Sequence, residues 1–595
     1  MKNTVTNLKK LQSELKRKGI KAYYITPSDE HNSENVPDVY LSERLFYCPF
    51  TGTDGTLLVT QDAAYLFTDG RYFIQAEEEL KDSEVTLVKP AEGLGFESLS
   101  PSELVAKNNL YPLAFDFKRV SVKEAMKFYD SGNPLTVFDD IIDENFSSLL
   151  PFQLEKGTDK VWEVTPDLTS VTREERIAKL RQFLINSGDM DGCLITDLAQ
   201  IAYLLNLRGN DIRHTPVFYA FVYIDLSATH LFIDKSKIEG IELKDVTIHD
   251  YEEIYSFLTL VQELSILYDP ASTNLAIANK INHSINGPIP VELNKIVKDP
   301  IEMKNIHETH ILDGVAMVKF IKYLYEHSND GLTEHQLAEV LANFRLENKR
   351  CFDLSFDSIV AVDGNAAMMH YAPTKEKSSK LDKNSHLILV DSGGQYYGGT
   401  TDITRTFLFN DPSEEIRRNY TLTLKSLISL STSVFLEGCS GMTLDMKARE
   451  IMWREGLDYQ CGTGHGVGYM LGVHEGPNAF RYYIKDKNKI PYFYALNIVT
   501  TVEPGVYKEK EYGIRIENEI VTVPYGSNNN GNFLTFECIT CCPIETKYLM
   551  LDLLTNEEIE YLNGYHEWVY YKLSPLLDEE HKAFLKGLCE PVIKE

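Results

Sequence analysis

A helix-then-strand pattern that occurs twice is the feature that most restricts the possible folds of this chain. In its first copy, a helix-like stretch at residues 8–18 leads into the apolar segment 21–26. In its second copy, a helix-like stretch at residues 173–188 leads into the apolar segment 192–196. Each copy continues into paired strand-like runs, and such helix–strand alternation is typical of α/β domains. The sequence therefore predicts two similar α/β domains in its N-terminal half.

The length of 595 residues is more than one hydrophobic core supports, and it predicts about three or four domains. A polar stretch at residues 151–160 and a proline within residues 297–306 indicate the boundaries. A long amphipathic helix should follow the second boundary, because apolar residues recur at helical spacing from Ile311 to Leu324. We predict domains at residues 1–152, 153–303 and 304–595, the last ending in a helical tail.

The composition limits the classes of partner and compartment. The chain has 88 acidic and 59 basic residues, a formal net charge of −29. Since phosphate backbones attract basic surfaces, we expect no nucleic acid and no anionic membrane as a main partner. No run of about 18 apolar residues is present, so no membrane span is predicted. The nine cysteines are an odd number and mostly isolated, which favours a reducing compartment such as the cytoplasm.

Potential metal ligands occur at the ends of short strand-like runs in the last third of the chain. They are four carboxylates and one imidazole, at Asp391, Asp402, His465, Glu503 and Glu517. Crowded carboxylates repel one another and take up protons, whereas two divalent cations would supply the matching charge. An oxygen-rich set suits hard, Mn-like ions, and a dinuclear site can activate water near neutral pH. Hydrolysis at a dinuclear metal centre is therefore the leading hypothesis.

The local sequence predicts that two of these carboxylates share a pocket. Asp391 ends a buried-strand pattern, and a glycine-rich turn at residues 392–399 follows. Asp402 then lies early in the next strand-like run. Strands joined by such a turn lie side by side. Either aspartate alone is more often a simple turn residue, so the inference depends on the whole set.

The remaining ligands lie in two other kinds of segment. His465 stands between Gly464 and Gly466, and glycines permit a close backbone approach to a ligand. Glu503 ends a strand-like run just before Pro504.

Glu517 lies within the apolar run at residues 512–523, where charges are costly unless they are paired or metal-bound. Period-two alternation places Arg515, Glu517 and Glu519 on one face. We interpret Arg515 as the balancing charge for the carboxylates and Glu519 as a solvated or rim residue.

Together these segments resemble the "pita-bread" metallopeptidases, and among them the three-domain cytosolic Xaa-Pro aminopeptidases (aminopeptidase P). In the catalytic half the similar segments are MMHYAP at 368–373, VDSGGQYYGGTTDITRT at 390–406, GTGHGVGYMLGVHEGP at 462–477, TVEPGVY at 501–507 and GIRIEN at 513–518. Segments of the N-terminal half, such as TDGRYF at 68–73, also match. The resemblance therefore covers nearly the whole chain.

The resemblance implies a fold and an activity. The fold is two N-terminal creatinase-like α/β domains followed by a pita-bread catalytic domain, in a cytoplasmic homodimer. The activity is hydrolysis of the N-terminal Xaa-Pro bond of peptides by water activated between two divalent metal ions, preferably Mn²⁺. The implied metal ligands are Asp391, Asp402, His465, Glu503 and Glu517, with Asp402 and Glu517 bridging both ions.

The resemblance also implies residues that act on the substrate. Glu503 exchanges a proton with water and the leaving group, and His474 donates to the developing oxyanion. His370 and His474 are catalytic residues that contact both the substrate and the transition state, and Arg71 contacts the substrate. One position departs from the family pattern, since Cys461 stands where the family commonly has a further histidine. A thiol with a pKa of about 8.5 is a different acid, so we expect a lower activity or a shifted pH optimum.

Other functions are compatible with the same ligands. A prolidase cleaves only Xaa-Pro dipeptides but usually has one N-terminal domain, whereas this chain has two. Methionine aminopeptidases lack this two-domain N-terminal half. A non-catalytic peptide-binding member of the fold would generally have lost several ligands, and all five are present here.

Overall fold

The computed structural model describes residues 2–70, 72–89, 99–129, 137–139, 159–482 and 492–594. The chain divides into two compact units. The first contains Met1–Val164 and Thr172–Val291, and the second contains Thr165–Val171 and Glu292–Glu595. The expected boundary near residue 152 lies outside the described residues, and the exact bounds of the three predicted domains stay predictions.

The first unit contains two six-stranded sheets with the same topology. The strand order of the first is Val85–Val88, Ala64–Phe67, Thr56–Thr60, Ala22–Ile25, Leu113–Phe115 and Val137–Asp139. The strand order of the second is Thr247–His249, Thr229–Ile233, Ala220–Asp225, Gly192–Ile195, Ser265–Tyr268 and His283–Asn286. In both, the fourth strand is antiparallel to the third and parallel to the fifth. The predicted repeat is therefore confirmed.

Helices accompany both sheets, and their ends follow ordinary capping chemistry. The second copy begins with a helix over Arg173–Ser187, because Thr172 and Glu175 form a capping box and Gly188 ends the helix in a left-handed conformation. The described helices of the first unit are Lys2–Lys18, Asp38–Tyr47, Phe73–Leu80, Pro101–Lys107, Val122–Tyr129, Arg173–Ser187, Leu198–Leu205, Ile254–Leu260, Leu275–Ala278 and Pro290–Ile296. The helix Pro290–Ile296 continues into the second unit.

The second unit begins with the predicted long helix, which spans Pro300–Glu326 and starts at a capping box formed by Asp299 and Glu302. Its other helices are Glu334–Leu346, Glu414–Ser431, Gly441–Arg454, Asn556–Leu573 and Glu579–Leu588. The last two form the predicted helical tail.

Three larger sheets and two strand pairs complete the second unit. The six-stranded sheet has the order Phe435–Leu436, Gly531–Cys538, Asn518–Asn528, Val499–Val502, Gly464–Gly466 and Glu475–Phe480. The three-stranded sheets are Ile359–Val362 with Leu387–Ser392 and Ile403–Leu408, and Cys351–Leu354 with Gly394–Tyr396 and Gly399–Thr400. The pairs are Gly505–Lys508 with Tyr512–Arg515, and Leu332–Thr333 with Lys380–Leu381.

The strand Leu387–Ser392 is buried on both faces. Leu387 and Leu389 belong to one hydrophobic cluster, whereas Ile388 and Val390 belong to another. This explains the uninterrupted apolar run, because a strand covered on both sides has no polar face. The strand thus delivers Asp391 into the interior of the unit.

His566, in the tail helix, is a buried histidine that should make the second unit sensitive to acid. Its Nε2 accepts the backbone N–H of Ile544 at 3.1 Å. Burial, helped by the Arg405 guanidinium, lowers the pKa of His566 from 6.5 to about 4. A depressed pKa gives stability that is complete above pH 6.5 and is lost as the pH falls towards 4.

We therefore expect protonation of His566 to cost about 2 kcal/mol of unfolding free energy by pH 5. A His566→Gln variant keeps an acceptor for Ile544 but does not titrate in this range. Its urea midpoint should fall less than that of the wild type between pH 7 and pH 5. Equal falls in the two proteins would show that His566 contributes nothing to the acid sensitivity.

Candidate metal centre

Asp391 and Asp402 meet because their strands pair. Leu387–Ser392 runs antiparallel to Ile403–Leu408, with Asp391 opposite Thr404. Asp402 immediately precedes the second strand, and the two aspartates are only 8% and 5% exposed. The predicted side-by-side arrangement is confirmed. The glycine-rich segment between them folds as the short strands Gly394–Tyr396 and Gly399–Thr400.

Glu503 and Glu517 come from neighbouring strand ends of the six-stranded sheet. Val502 is opposite Asn518, so Glu503 follows one strand where Glu517 precedes the other. The prediction that Glu517 lies inside a continuous strand was wrong. The chain changes partners there, because Tyr512–Arg515 pairs with Gly505–Lys508 whereas the next strand pairs with Val499–Val502.

The side-chain distances bring the predicted ligands into one cluster. Ligand atoms of Asp402, His465 and Glu517 all lie within 4.8 Å of one another. His465 Nε2 is 3.5 Å from Asp402 Oδ2 and 3.4 Å from Glu503 Oε1. Asp391 is opposite Thr404 in the paired strand. The Thr404 hydroxyl donates to Glu517 Oε2 at 2.7 Å, and this contact connects Asp391 to the cluster.

The glycines around His465 serve strand packing. A Cβ atom on Gly464 would lie 1.9 Å from the Thr501 carbonyl oxygen, and one on Gly466 would lie 2.2 Å from the Glu475 carbonyl oxygen. The predicted close approach exists, but it is to neighbouring strands. The glycines therefore fix the place of His465 in the sheet.

Burial and charged neighbours together set the electrostatics of the cluster. Burial and then the neighbouring carboxylates raise the pKa values of Asp402 and Glu517. Burial lowers the pKa of His465, but Asp402 and Glu503 outweigh it and raise that pKa above its ordinary value. Arg515 offsets part of the negative charge, since its Nη2 lies 2.5 Å from Asp391 Oδ2. The predicted balancing role of Arg515 is consistent with this contact.

This donor set fits divalent cations. Asp391 Oδ1 is buried and has no hydrogen-bond partner among the residues that the structure describes. An orphaned carboxylate oxygen is costly, and a bound cation would satisfy it. Four carboxylates with one imidazole and one nearby guanidinium are also short of positive charge. Two hard divalent ions would correct both features.

Glu519 is a functional candidate that the sequence reasoning misassigned. It is 0% exposed, which contradicts its interpretation as a solvated or rim residue. Its Oε1 accepts the backbone N–H of Asp402 at 2.7 Å, and its Oε2 lies 3.3 Å from Nε2 of the buried His310. A charge inside an apolar run is costly unless it is paired. This rule predicts a partner for Glu519 in the same way as it does for Glu517.

We expect Glu519 to tune the affinity for the metal by holding the backbone of Asp402. A Glu519→Met variant keeps the volume but removes the acceptor, and should weaken Mn²⁺ binding about 10- to 100-fold. Glu519→Gln keeps an acceptor and should restore most of the affinity. Calorimetric titration of the apoproteins measures this, with Glu509→Gln, an exposed carboxylate, as the control. An unchanged affinity of Glu519→Met would contradict the assignment.

The predicted substrate residues have different positions. His474 is exposed, and its ring centroid lies 4.3 Å from that of His465 at an interplanar angle of 83°. His370 is half-buried and follows the short helix Asp363–Ala367, which packs against the backbone of Gly513. Arg71 lies outside the described residues. His474 thus lies beside the cluster, and the substrate contacts of His370 and Arg71 stay predictions.

Cys461 precedes His465 in the segment that leads into the cluster. The thiol is half-buried, and its backbone carbonyl accepts from Arg449 Nη2 at 3.0 Å. Burial, and then Glu503, raise the pKa of Cys461 to about 12. A neutral thiol therefore occupies this position near neutral pH, and its effect on activity stays a prediction.

Family models and relatives agree on the family to which this chain belongs. The model described as metallopeptidase family M24 matches residues 304–524, and one for the C-terminal region of that family matches residues 532–592. Models of the creatinase/prolidase N-terminal domain match residues 7–144 and 154–302. A probable Xaa-Pro aminopeptidase P of Laccaria bicolor is 32% identical over 99% of this chain and 94% of its own length. The chain belongs to the aminopeptidase P group of metallopeptidase family M24.

Other members of the group cover the same length. Xaa-Pro aminopeptidase 1 of Dictyostelium discoideum is 31% identical over 98% of this chain and 96% of its own length. A solved structure, "X-prolyl aminopeptidase from Caenorhabditis elegans: a cytosolic enzyme with a di-nuclear active site", covers 99% of both chains with a TM-score of 0.90 and 30% identity. These matches confirm the predicted fold class, two creatinase-like α/β domains followed by a pita-bread catalytic domain. Among the described residues of this M24 member, no helix has the length and apolar character needed to span a bilayer.

Proposed function

We propose that this protein is a metalloaminopeptidase that hydrolyses the N-terminal Xaa-Pro bond of peptides. The observation that carries the proposal is the convergence of Asp402, His465 and Glu517, with ligand atoms within 4.8 Å, in a member of the aminopeptidase P group that matches 94% of the length of its L. bicolor relative. Glu503 touches the same imidazole, and Asp391 is on the adjoining strand.

Two divalent ions, preferably Mn²⁺, are the proposed cofactors. The residues that would hold them are Asp391, Asp402, His465, Glu503 and Glu517. Their oxygen-rich chemistry favours hard cations. When bound, such ions lower the pKa of a water molecule and polarise a carbonyl group.

The protein side chains would position the substrate and move its protons. His474 would donate to the carbonyl oxygen of the first residue as negative charge develops there. The Glu503 carboxylate would accept a proton from the attacking water and deliver it to the departing proline nitrogen. Because the Xaa-Pro bond has no N–H, selectivity must come from a pocket that fits the proline ring.

The segment that carries His370 is fixed by a single buried carboxylate. Glu334 accepts the hydroxyl of Tyr371 and the backbone N–H of Ser379, each at 2.7 Å. It also accepts the backbone N–H of Val362 at 2.7 Å. This network supports the proposal that His370 holds the substrate in a defined position. The same role is proposed for Arg71.

The proposed setting is a cytoplasmic homodimer. The C. elegans relative is described as cytosolic. On the helix Gly441–Arg454, the apolar side chains of Met442, Met446 and Trp453 are exposed on one face. Such a stripe favours contact with a second copy. Light scattering should give the dimer mass for the wild type and the monomer mass for Met446→Glu, and a monomeric wild type would refute the assembly.

A peptide panel tests the activity. With Mn²⁺-reconstituted protein, we expect release of arginine from Arg-Pro-Pro and none from Arg-Ala-Pro. A prolidase would instead prefer an Xaa-Pro dipeptide to Arg-Pro-Pro. A non-catalytic member would bind metal or peptide without turnover. Either of these results would refute the proposed function.

A further inference from the structure

Glu475, directly after His474 in the chain, is a buried carboxylate enclosed by two lysines. Lys295 Nζ donates to Oε1 at 2.8 Å, and Lys298 Nζ donates to Oε2 at 2.5 Å. The side chains of Lys295, Lys298 and Glu475 are 7%, 1% and 3% exposed. Buried charges lose their hydration and must be compensated by close partners. The two bonds therefore fix both oxygens of Glu475 in place.

The lysines are held against the sheet that carries the metal cluster. Lys298 Nζ also donates to the carbonyl of Lys295 at 3.2 Å, and the Lys298 backbone N–H donates to the carbonyl of Asn497 at 2.9 Å. Val297 forms an isolated bridge with Ile498, one residue before the strand Val499–Val502. The support for Glu475 is thus attached to the strand Val499–Val502, which leads directly into Glu503.

Glu475 also ties His474 to His465. Glu475 begins the strand Glu475–Phe480 and is opposite Gly466, the residue after His465. His474 lies in the bend directly before this strand. Fixing the Glu475 side chain between the lysines therefore fixes the strand end that carries His474, whose ring centroid lies 4.3 Å from that of His465.

We propose that Glu475 is a positioning residue that holds His474 in its catalytic place, with Lys295 and Lys298 as its support. The proposal rests on the proposed function, in which His474 donates to the developing oxyanion. A contact formed mainly in the transition state affects kcat more than KM. We call the contacts of Glu475 with Lys295 and Lys298 the clamp. Loss of the clamp should therefore lower kcat and leave KM nearly unchanged.

A double-mutant cycle on the Mn²⁺-reconstituted 595-residue enzyme tests this role. Glu475→Gln places an amide NH₂ against an ammonium group and should lower kcat for Arg-Pro-Pro about 10- to 100-fold, the cost of a small misplacement. If Glu475 acts through His474, the Glu475→Gln change should have little further effect in a His474→Ala background. Independent, multiplying losses in the double variant would overturn the proposal.

Two further variants separate positioning from a general loss of stability. Lys298→Met retains the Lys295 bond and should show the same kcat effect to a smaller degree, even where Glu475→Gln folds poorly. Lys237→Met breaks a comparably buried pair with Asp211 in the first unit, where both side chains are 1% exposed. It should lower the melting temperature with kcat and Mn²⁺ content unchanged. A kcat loss in Lys237→Met as large as that in Lys298→Met would refute a specific role for the clamp.

The two levels of the proposal fail in different ways. If the wild type released no arginine from Arg-Pro-Pro, the proposed function itself would be wrong. If the wild type were active and Glu475→Gln and Lys298→Met retained its kcat, only the positioning role would be wrong.

Discussion

An Asp402→Asn variant should lose hydrolysis of Xaa-Pro peptides, with kcat/KM reduced about 10³-fold or more. The change keeps the size of the side chain but removes a charge from the centre of the cluster, where Asp402 Oδ2 lies 3.5 Å from His465 Nε2. An amide is a poor ligand for a shared metal position, and loss of metal stabilisation costs several kcal/mol in the transition state. Steady-state kinetics with Arg-Pro-Pro, together with metal analysis, measures the effect.

The control for this variant is Asp211→Asn, the same exchange at a buried aspartate of the first unit. It should keep full activity and metal content, although it breaks an ion pair with Lys237. Full activity of Asp402→Asn in a metal-defined assay would remove Asp402 from the site.

An Arg449→Met variant should lose about 3–5 kcal/mol of unfolding free energy, because it leaves the buried Asp445 carboxylate without its cationic partner. Arg449 is fully buried. Its Nε donates to Asp445 Oδ2 at 2.9 Å and its Nη1 to Asp458 Oδ1 at 2.7 Å. It also lies over the ring of Tyr459, with Cζ 4.0 Å from the centroid.

The same arginine shapes the segment before His465. Its Nη2 donates to the Cys461 carbonyl at 3.0 Å, so Mn²⁺ affinity should fall together with stability. Arg449→Lys keeps the charge without the fork-shaped donor set. Its free energy of unfolding should therefore lie between those of the wild type and Arg449→Met. Urea unfolding at pH 7 measures the stability, and a loss below about 1 kcal/mol for Arg449→Met would contradict this account.

Features that depend on local pattern could be predicted from the sequence. The repeated helix-then-strand plan indicated two similar α/β domains, and their sheets have the same strand order. The apolar run before Asp391 and the turn after it indicated paired strands, because both signals lie within one short segment. The long helix Pro300–Glu326 was likewise indicated by its apolar spacing and its proline.

Features that depend on distant partners could not be predicted in this way. Period-two alternation suggested one strand through Glu517, but the chain changes sheets there, and only the pairing partners reveal the break. Glu519 looked solvated until His310 and the Asp402 backbone were placed beside it. Lys295 is 180 residues from Glu475, so no local pattern could indicate that pair.

Anomalous diffraction from a Mn²⁺-soaked crystal is the most direct test of the central claim, that the predicted ligands together enclose two cations. We expect two anomalous peaks about 3.5–4 Å apart, both in contact with Asp402 and Glu517, with Asp391, His465 and Glu503 completing their shells. A single peak, no peak, or peaks without contact to Asp391 and Glu503 would contradict the claim.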